Sequence, residues 1–430
     1  MVLLEPLMLN SGGITYTMRY FLNEISLHIP ELKASIHENL LKILSQILTG
    51  RPLSQIIQSI SMSASHLIRS NNFYSLMSNL VQNSPQIPKS ASINRSLTQQ
   101  QFAQLEEVPP QVDTESLIQA LQTLRAFEFP SIYIIAFLRY CVDFYLQHES
   151  CVVKIETLIT TSALLSRLIT TLNAQDSRSL ISIISCVLRK LLICAITDYE
   201  PDVRYHVLNS LDNDHKFNMF VSLPENLNIL FMCVRDERAE IRELSASMIS
   251  RLSASNSAYI LPFIRKILMQ LLTEVDIYPD MGQLEKSVRL MGHLLCHAPR
   301  LVNLYVKPLL DCLHSKLMEY RHDIPFASSI VTVVGQLASQ SSPETLEHFD
   351  AIIPFLNESM QDFYYVQLKH TAIWALGQII ANTGYVIEPY KKYPNLLEIL
   401  LGFLQTETST QIRRETIRIL GLIGKTKFLY

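Results

Sequence analysis

Hydrophobic residues recur along most of this chain with the spacing of amphipathic helices. Between Pro30 and Gly50, Leu40, Leu44 and Leu48 share one helical face. Gly50 then favours the left-handed backbone that often ends a helix. The pattern is weaker elsewhere in residues 1–81 and nearly unbroken from residue 114 onward. We therefore expect three or four helices in the first stretch and almost continuous helix in the last.

A small residue followed two positions later by Leu or Ile recurs inside these helices, at steps of 43, 41, 42, 43, 42 and 44 residues. A two-helix unit of this length is typical of HEAT and armadillo repeats. A small side chain lets the second helix approach its neighbour closely, which offsets the roughly 1 kcal/mol that Gly costs inside a helix. The pattern predicts an all-α, HEAT/armadillo-like α-solenoid, a right-handed superhelix of about nine to ten helix pairs. The seven positions are Ser166, Asn209, Ser250, Gly292, Gly335, Gly377 and Gly421.

An acidic residue precedes a basic one by six positions at several predicted turns. This spacing resembles the ladder of HEAT repeats, in which the acid of one unit pairs with the base of a neighbour. The alternative is a set of unconnected surface charges, each contributing less than about 1 kcal/mol. The predicted ladder residues are Asp198 and Arg204, Asp236 and Arg242, Asp280 and Lys286, and Glu407 and Arg413.

An aromatic residue followed by proline also recurs in phase with the repeat. Proline suits a first helical turn, where its missing N–H would have no partner in any case. We therefore expect each proline of this set to mark the start of a first helix. The pairs are Tyr259 and Pro262, Tyr305 and Pro308, Phe349 and Pro354, and Tyr393 and Pro394.

Residues 82–113 interrupt the apolar pattern with Ser, Gln, Asn and four prolines. Such a stretch buries too little apolar area to offset the entropy of ordering it. We predict three segments: a helical, HEAT-like segment in residues 1–81, a polar flexible insertion in residues 82–113 and the HEAT-repeat solenoid in residues 114–430. The insertion is either a tolerated surface loop or a disordered regulatory loop.

Composition narrows the class of protein. The net charge of −3 gives no basic field for nucleic acid. The seven cysteines are scattered through apolar runs, which favours buried free thiols in a reducing compartment. No signal peptide is expected at the N-terminus, and the runs 132–142 and 180–188 end at basic residues, short of the roughly 20 residues of a membrane span. We expect a soluble, intracellular protein.

No catalytic, cofactor-binding or metal-binding residue is predicted. Gly424-Lys425-Thr426 resembles the end of a phosphate-binding loop, but Ile419 stands where that loop needs glycine. His293, Cys296 and His297 lie one helical turn apart without a fourth ligand at a matching spacing. The chain also lacks the glycine-rich loop and the Asp-Phe-Gly triplet of protein kinases.

Residues 383–398 (TGYVIEPYKKYPNLLE) and 413–424 (RRETIRILGLIG) closely resemble the N-terminal HEAT region of the target of rapamycin (TOR) Ser/Thr protein kinases. Further stretches agree in the same order at 120–129, 196–205 and 292–301. The resemblance implies a fragment or truncated relative of a very large kinase, without the kinase domain. It implies a noncatalytic scaffold that binds TOR-complex regulatory subunits and other parts of the parent kinase in growth and nutrient signalling.

The resemblance also implies a cytoplasmic location, with endomembrane contact only through partners, and a homodimer formed through the parent kinase. Neither nucleic acid nor direct membrane insertion is expected. The alternative function is that of an unrelated HEAT adaptor, such as a nuclear transport receptor or a phosphatase scaffold. The predicted partner-binding residues, which are otherwise simply solvated charges, are Glu388, Tyr390, Lys391, Lys392, Arg413 and Arg414.

Overall fold

The computed structural model describes residues 16–55, 112–171, 177–277, 280–341, 346–361, 365–383 and 387–426. Within these ranges the regular structure is helical, with no β-strand. The chain forms two compact units, Met1–Phe217 and Asn218–Tyr430, and the boundary lies inside the predicted solenoid. Residues 56–111, which include almost all of the predicted insertion, lie outside the described part.

Within the first compact unit, the second helices of successive repeats pack in a row. Helices α3, α5 and α7 contact one another in that order, while α4 and α6 pack against α5. The hydroxyl of Tyr145, in a 3-10 turn, donates to the carbonyl of Leu48 at the end of α2. Gly50 adopts the predicted left-handed conformation there, with φ 67°. The helices are α1 (Tyr16–His28), α2 (Pro30–Thr49), α3 (Thr114–Ala126), α4 (Ser131–Asp143), α5 (Cys151–Thr170), α6 (Ser177–Thr197) and α7 (Pro201–Asp212).

The second unit shows the repeat most clearly. Its second helices α10, α12, α14, α17 and α20 each contact the next, and first helices such as α11 and α13 contact one another in a parallel layer. Stacking of this kind gives a continuous core between two helical layers. The helices are α8 (Asn218–Val221), α9 (Pro224–Cys233), α10 (Ala239–Leu252), α11 (Ser257–Ile277), α12 (Met281–Leu295), α13 (Pro299–Glu319), α14 (Ile324–Gln340), α15 (Leu346–Phe349), α16 (Ile353–Gln361), α17 (Val366–Thr383), α18 (Glu388–Lys392), α19 (Asn395–Thr406) and α20 (Thr410–Thr426).

The recurrent small residues lie on second helices, and Gly292, Gly335 and Gly377 each face the second helix of the next repeat. A Cβ built on Gly335 would overlap the ring of Trp374 in α17. A Cβ on Gly377 would lie 2.6 Å from Nη2 of Arg418 in α20. The close approach predicted for these glycines is confirmed, and large side chains of the next helix occupy the space.

Two ion pairs join the second helix of one repeat to the turn between the helices of the next repeat. Lys154 Nζ lies 2.8 Å from Asp198 Oδ2, and Lys369 Nζ lies 3.2 Å from Glu407 Oε2. Each lysine is the fourth residue of its helix, α5 or α17. Because all four side chains are largely buried, these pairs are better shielded from water than surface pairs. Asp198 and Glu407 belong to the predicted ladder, but their partners are lysines that the spacing had not singled out.

Two of the arginines predicted for the ladder, Arg204 and Arg242, bind their own turns. Arg204 Nη1 donates to the Asp198 carbonyl at 2.9 Å, and Arg242 Nη1 donates to the Asp236 carbonyl at 2.8 Å. Asp280 caps α12 by accepting from the Gln283 N–H. These contacts hold the chain between the helices of one unit, and the ladder as a whole stays a prediction.

The expectation that each proline begins a first helix is wrong for two of the four. Pro262 lies inside α11 and Pro308 inside α13. Both prolines are exposed, so water can reach the carbonyl that loses its helical donor. Pro354 and Pro394 do lie at the beginnings of α16 and α19.

Two further expectations need correction. Arg189 and Lys190 do not end α6, which contains the window Leu180–Thr197 with mean hydropathy 2.1, long and apolar enough by composition to cross a membrane. Its residues Leu188 and Leu192 are nevertheless buried in the first unit. The seven cysteines are free, but only Cys141 and Cys233 are buried and Cys186 is exposed.

Candidate functional site

The short helix α18 carries the first group of predicted partner-binding residues. Pro389 is buried, and the ring of Tyr390 is half-buried. The Tyr390 hydroxyl has no hydrogen-bond partner within the described ranges, and burial raises its pKa. Tyr390 therefore packs into the unit more than it projects from it. Glu388 begins the helix, but its side chain lies outside the described part.

The two lysines of α18 are exposed. Lys392 Nζ lies 3.0 Å from Asp350 Oδ2, in the turn before α16, and this hydrogen bond raises the pKa of Lys392. An ion pair this exposed to water contributes less than about 1 kcal/mol. Lys392 can therefore exchange Asp350 for an acidic partner at little cost.

The second group, Arg413 and Arg414, lies in the first turns of α20 and is exposed. Cations near a helix N-terminus are disfavoured by the helix dipole, by about 0.3–1 kcal/mol each. The acid that precedes the helix, Glu407, is engaged by Lys369. No ion pair holds either guanidinium among the residues that the structure describes, so both can bind carboxylates or phosphates of a partner.

The two groups belong to different helices that flank α19. Helix α19 contacts both α18 and α20. The Lys392–Asp350 pair also ties α18 to the turn before α16. The arrangement places exposed cations on two helices that both contact α19.

The histidine-rich stretch of α12 does not form a metal site in the part of the chain described. His293 Nε2 lies 3.7 Å from Glu243 Oε2, and burial lowers the pKa of His293. The Cys296 thiol donates to the His293 carbonyl at 3.0 Å. No cluster of three His, Cys, Asp or Glu side chains in the described ranges could hold a metal ion.

Analysis of the sequence missed an open groove of about 470 Å³ between the first helices α11 and α13. Its apolar lining includes Leu261, Met269, Leu304 and Tyr305. In the sequence, the groove could have been detected only from large apolar residues that lie outside the buried face of each helix. Exposed apolar residues occur singly on most proteins, so that signal gains meaning only when two helices place such residues side by side.

The sequence matches a family model and several known proteins. A family model described as the Serine/threonine-protein kinase mTOR domain matches residues 386–425, the stretch that holds all six predicted partner-binding residues. The chain is 32% identical to Serine/threonine-protein kinase mTor of Drosophila melanogaster, over 96% of this chain and 15% of the relative. It is 29% identical to tor1 of Schizosaccharomyces pombe, over 96% of this chain and 16% of the relative. The chain thus spans about a sixth or less of these relatives.

Solved structures with a similar fold are α-solenoids. The karyopherin Kap121p, in a crystal structure with Nup53p, aligns with a TM-score of 0.52 over 95% of this chain and 38% of that chain. Kap121p in complex with Ste12p aligns with a TM-score of 0.51. The sequence identity is 13% in both cases, so these likenesses show a HEAT/armadillo-like fold and nothing about function.

Proposed function

Since this chain corresponds to the N-terminal HEAT-repeat region of the TOR kinases, we propose that it is a noncatalytic scaffold of a TOR-type kinase that binds regulatory subunits in growth and nutrient signalling. The observation that carries this proposal is the similarity to TOR kinases along 96% of the chain. The stacked helix pairs support it, because such stacks present extended surfaces for partners. A cytoplasmic location and assembly through the parent kinase belong to the same proposal.

We place one partner contact at the exposed cations Lys391, Lys392, Arg413 and Arg414. Each arginine can bind a carboxylate through two parallel hydrogen bonds, and helices α18 and α20, which both contact α19, carry the two groups of cations. In this proposal the half-buried ring of Tyr390 holds α18 in place, and Glu388 stays a predicted contact residue of the same surface. The contact would be electrostatic and therefore weaker at high salt.

The proposal is tested by affinity purification of the tagged chain from cells, followed by mass spectrometry. We expect co-purification of TOR-complex subunits. Recovery of transport cargo or of a phosphatase catalytic subunit, without TOR-complex subunits, would support an unrelated HEAT adaptor and refute the proposed function.

Charge reversal tests the surface itself. Arg413→Glu/Arg414→Glu should lower recovery of the partner about tenfold and reduce its salt dependence, since charges of this kind govern association. A matched control is Lys33→Glu/Arg235→Glu, which changes the net charge equally at two other exposed cations. Equal loss with both double variants would show a nonspecific charge effect and would exclude this surface.

A further inference from the structure

The groove between α11 and α13 is apolar where most of the helix surface is polar. Met269 is 48% exposed and Leu304 is 75% exposed, although both are large and hydrophobic. Each helix buries its opposite face, for example through Ile264, Leu268 and Leu309. The core therefore does not use the groove residues. Apolar side chains exposed side by side in this way form a candidate interaction surface.

The groove is also rimmed by cations. The Arg265 guanidinium lies 5.9 Å from the centre of the Tyr305 ring, so one cation covers part of the groove wall. Lys266 lines the groove and Lys307 is exposed one turn beyond Leu304. Among the described residues, no acidic side chain forms an ion pair with these three cations.

The acids at the far end of α11 are held by other groups. Glu274 accepts hydrogen bonds from Ser287 and Gln270, both at 2.9 Å. Asp276 accepts from the Cys312 thiol at 3.7 Å. Glu274 and Asp276 lie at least about two and a half helical turns from Arg265. The exposed Asp311 lies about one turn beyond Lys307, so positive charge predominates beside the apolar floor at Arg265 and Lys266.

We propose that this groove binds an acidic amphipathic helix of a partner protein, with large apolar side chains inserted between α11 and α13 and Asp or Glu facing Arg265, Lys266 and Lys307. Leu261 and Met269 are separated by about 12 Å along α11 at the rise of an α-helix. This length matches two turns of a bound helix, which would place anchors at positions i, i+3 or i+4, and i+7. The proposal concerns a site distinct from α18 and α20, and it does not depend on the identity of the subunits bound there.

Fluorescence anisotropy with the full chain tests the proposal. The probe is a fluorescein-labelled synthetic peptide of about four helical turns, with Leu and Phe on one face and Glu and Asp on its flanks. We expect saturable binding that Leu304→Ala and Arg265→Glu/Lys266→Glu each weaken about tenfold, as at central interface residues. Because these side chains are exposed, the variants should keep the helical circular dichroism of the unaltered protein.

The matched controls are Leu401→Ala, which truncates an exposed leucine of α19, and Arg413→Glu/Arg414→Glu. Both should bind the peptide as the unaltered chain does. The latter variant separates this proposal from the proposed function, because it should lose the partner of α18 and α20 while keeping the peptide.

Three results would overturn the proposal. One is equal affinity for the groove variants and the unaltered chain. Another is equal binding of a peptide with the same apolar face and Lys in place of its acids. The third is binding to vesicles containing phosphatidylserine without binding to the peptide, which would identify the groove as a membrane contact.

Discussion

At the residue scale, the glycines of the second helices differ in which side chains of the next helix cover them. Trp374 covers Gly335, and Arg418 covers Gly377. At Gly421 an added Cβ would meet no atom within 4 Å. In this chain a side chain at position 335 or 377 must displace its neighbour, whereas one at position 421 would enter space that no described residue occupies.

Gly335→Ala and Gly421→Ala test this difference. An added methyl group against the rigid Trp374 ring should cost about 1–3 kcal/mol, of which alanine recovers about 1 kcal/mol as a better helix former. We expect Gly335→Ala to lower the free energy of unfolding and Gly421→Ala to leave it unchanged or raise it. Urea unfolding followed by the fluorescence of Trp374, the one tryptophan of the chain, measures both, and equal effects would contradict the packing argument.

At the element scale, consecutive repeats are joined by ion pairs, some of which are buried and some exposed. The side chains of Lys369 and Glu407 are 7% and 14% exposed, whereas those of Lys392 and Asp350 are 49% and 36% exposed. Lys369 also lies over the Phe403 ring, with Nζ 5.5 Å from its centre. The first pair is therefore part of the packing between α17 and the turn before α20, and the second lies on the surface.

Removal of one partner should separate the two pairs. Lys369→Met leaves the Glu407 carboxylate largely buried without its cation, which costs about 3–5 kcal/mol. Lys392→Met should cost less than about 1 kcal/mol. Thermal unfolding monitored by circular dichroism compares them, and Lys369→Met/Glu407→Leu should recover much of the loss because no lone charge remains. Similar melting temperatures for the two single variants would show that burial of the pair is unimportant.

At the scale of the whole molecule, each helix pair of a solenoid is stabilised chiefly by its immediate neighbours. In the second unit the row of second helices runs from α10 to α20 through successive contacts. The first unit has its own core, which includes Leu121, Leu165 and Leu208. A local packing defect should therefore have a local effect.

Hydrogen–deuterium exchange can follow how far such a defect spreads. We expect Gly335→Ala to speed amide exchange in α14 and α17 while α3 and α5 keep their protection, because these two helices belong to the other compact unit. Peptide-resolved mass spectrometry checks this expectation. Uniformly faster exchange along the whole chain would mean that the solenoid unfolds as one cooperative body.

The sequence by itself determined the helical class, the period of the repeat and the family resemblance. These properties follow from the spacing of small and apolar residues along one chain, as at Gly292, Gly335 and Gly377. The cations at Arg413 and Arg414 could also be read directly, since charge at a helix start needs no knowledge of neighbours. The family model matches the stretch that contains both arginines, and their contact with a partner stays a prediction.

Only the tertiary structure decided which side chains meet. The contact of Gly335 with Trp374, the ion pair of Lys369 with Glu407 and the groove beside Leu304 each join residues on different helices. Their formation depends on how far each helix is rotated and displaced against the next, and the hydrophobic period specifies a buried stripe without that rotation. For the same reason the sequence predicts Pro262 near a helix start, but it does not show that Pro262 lines a groove.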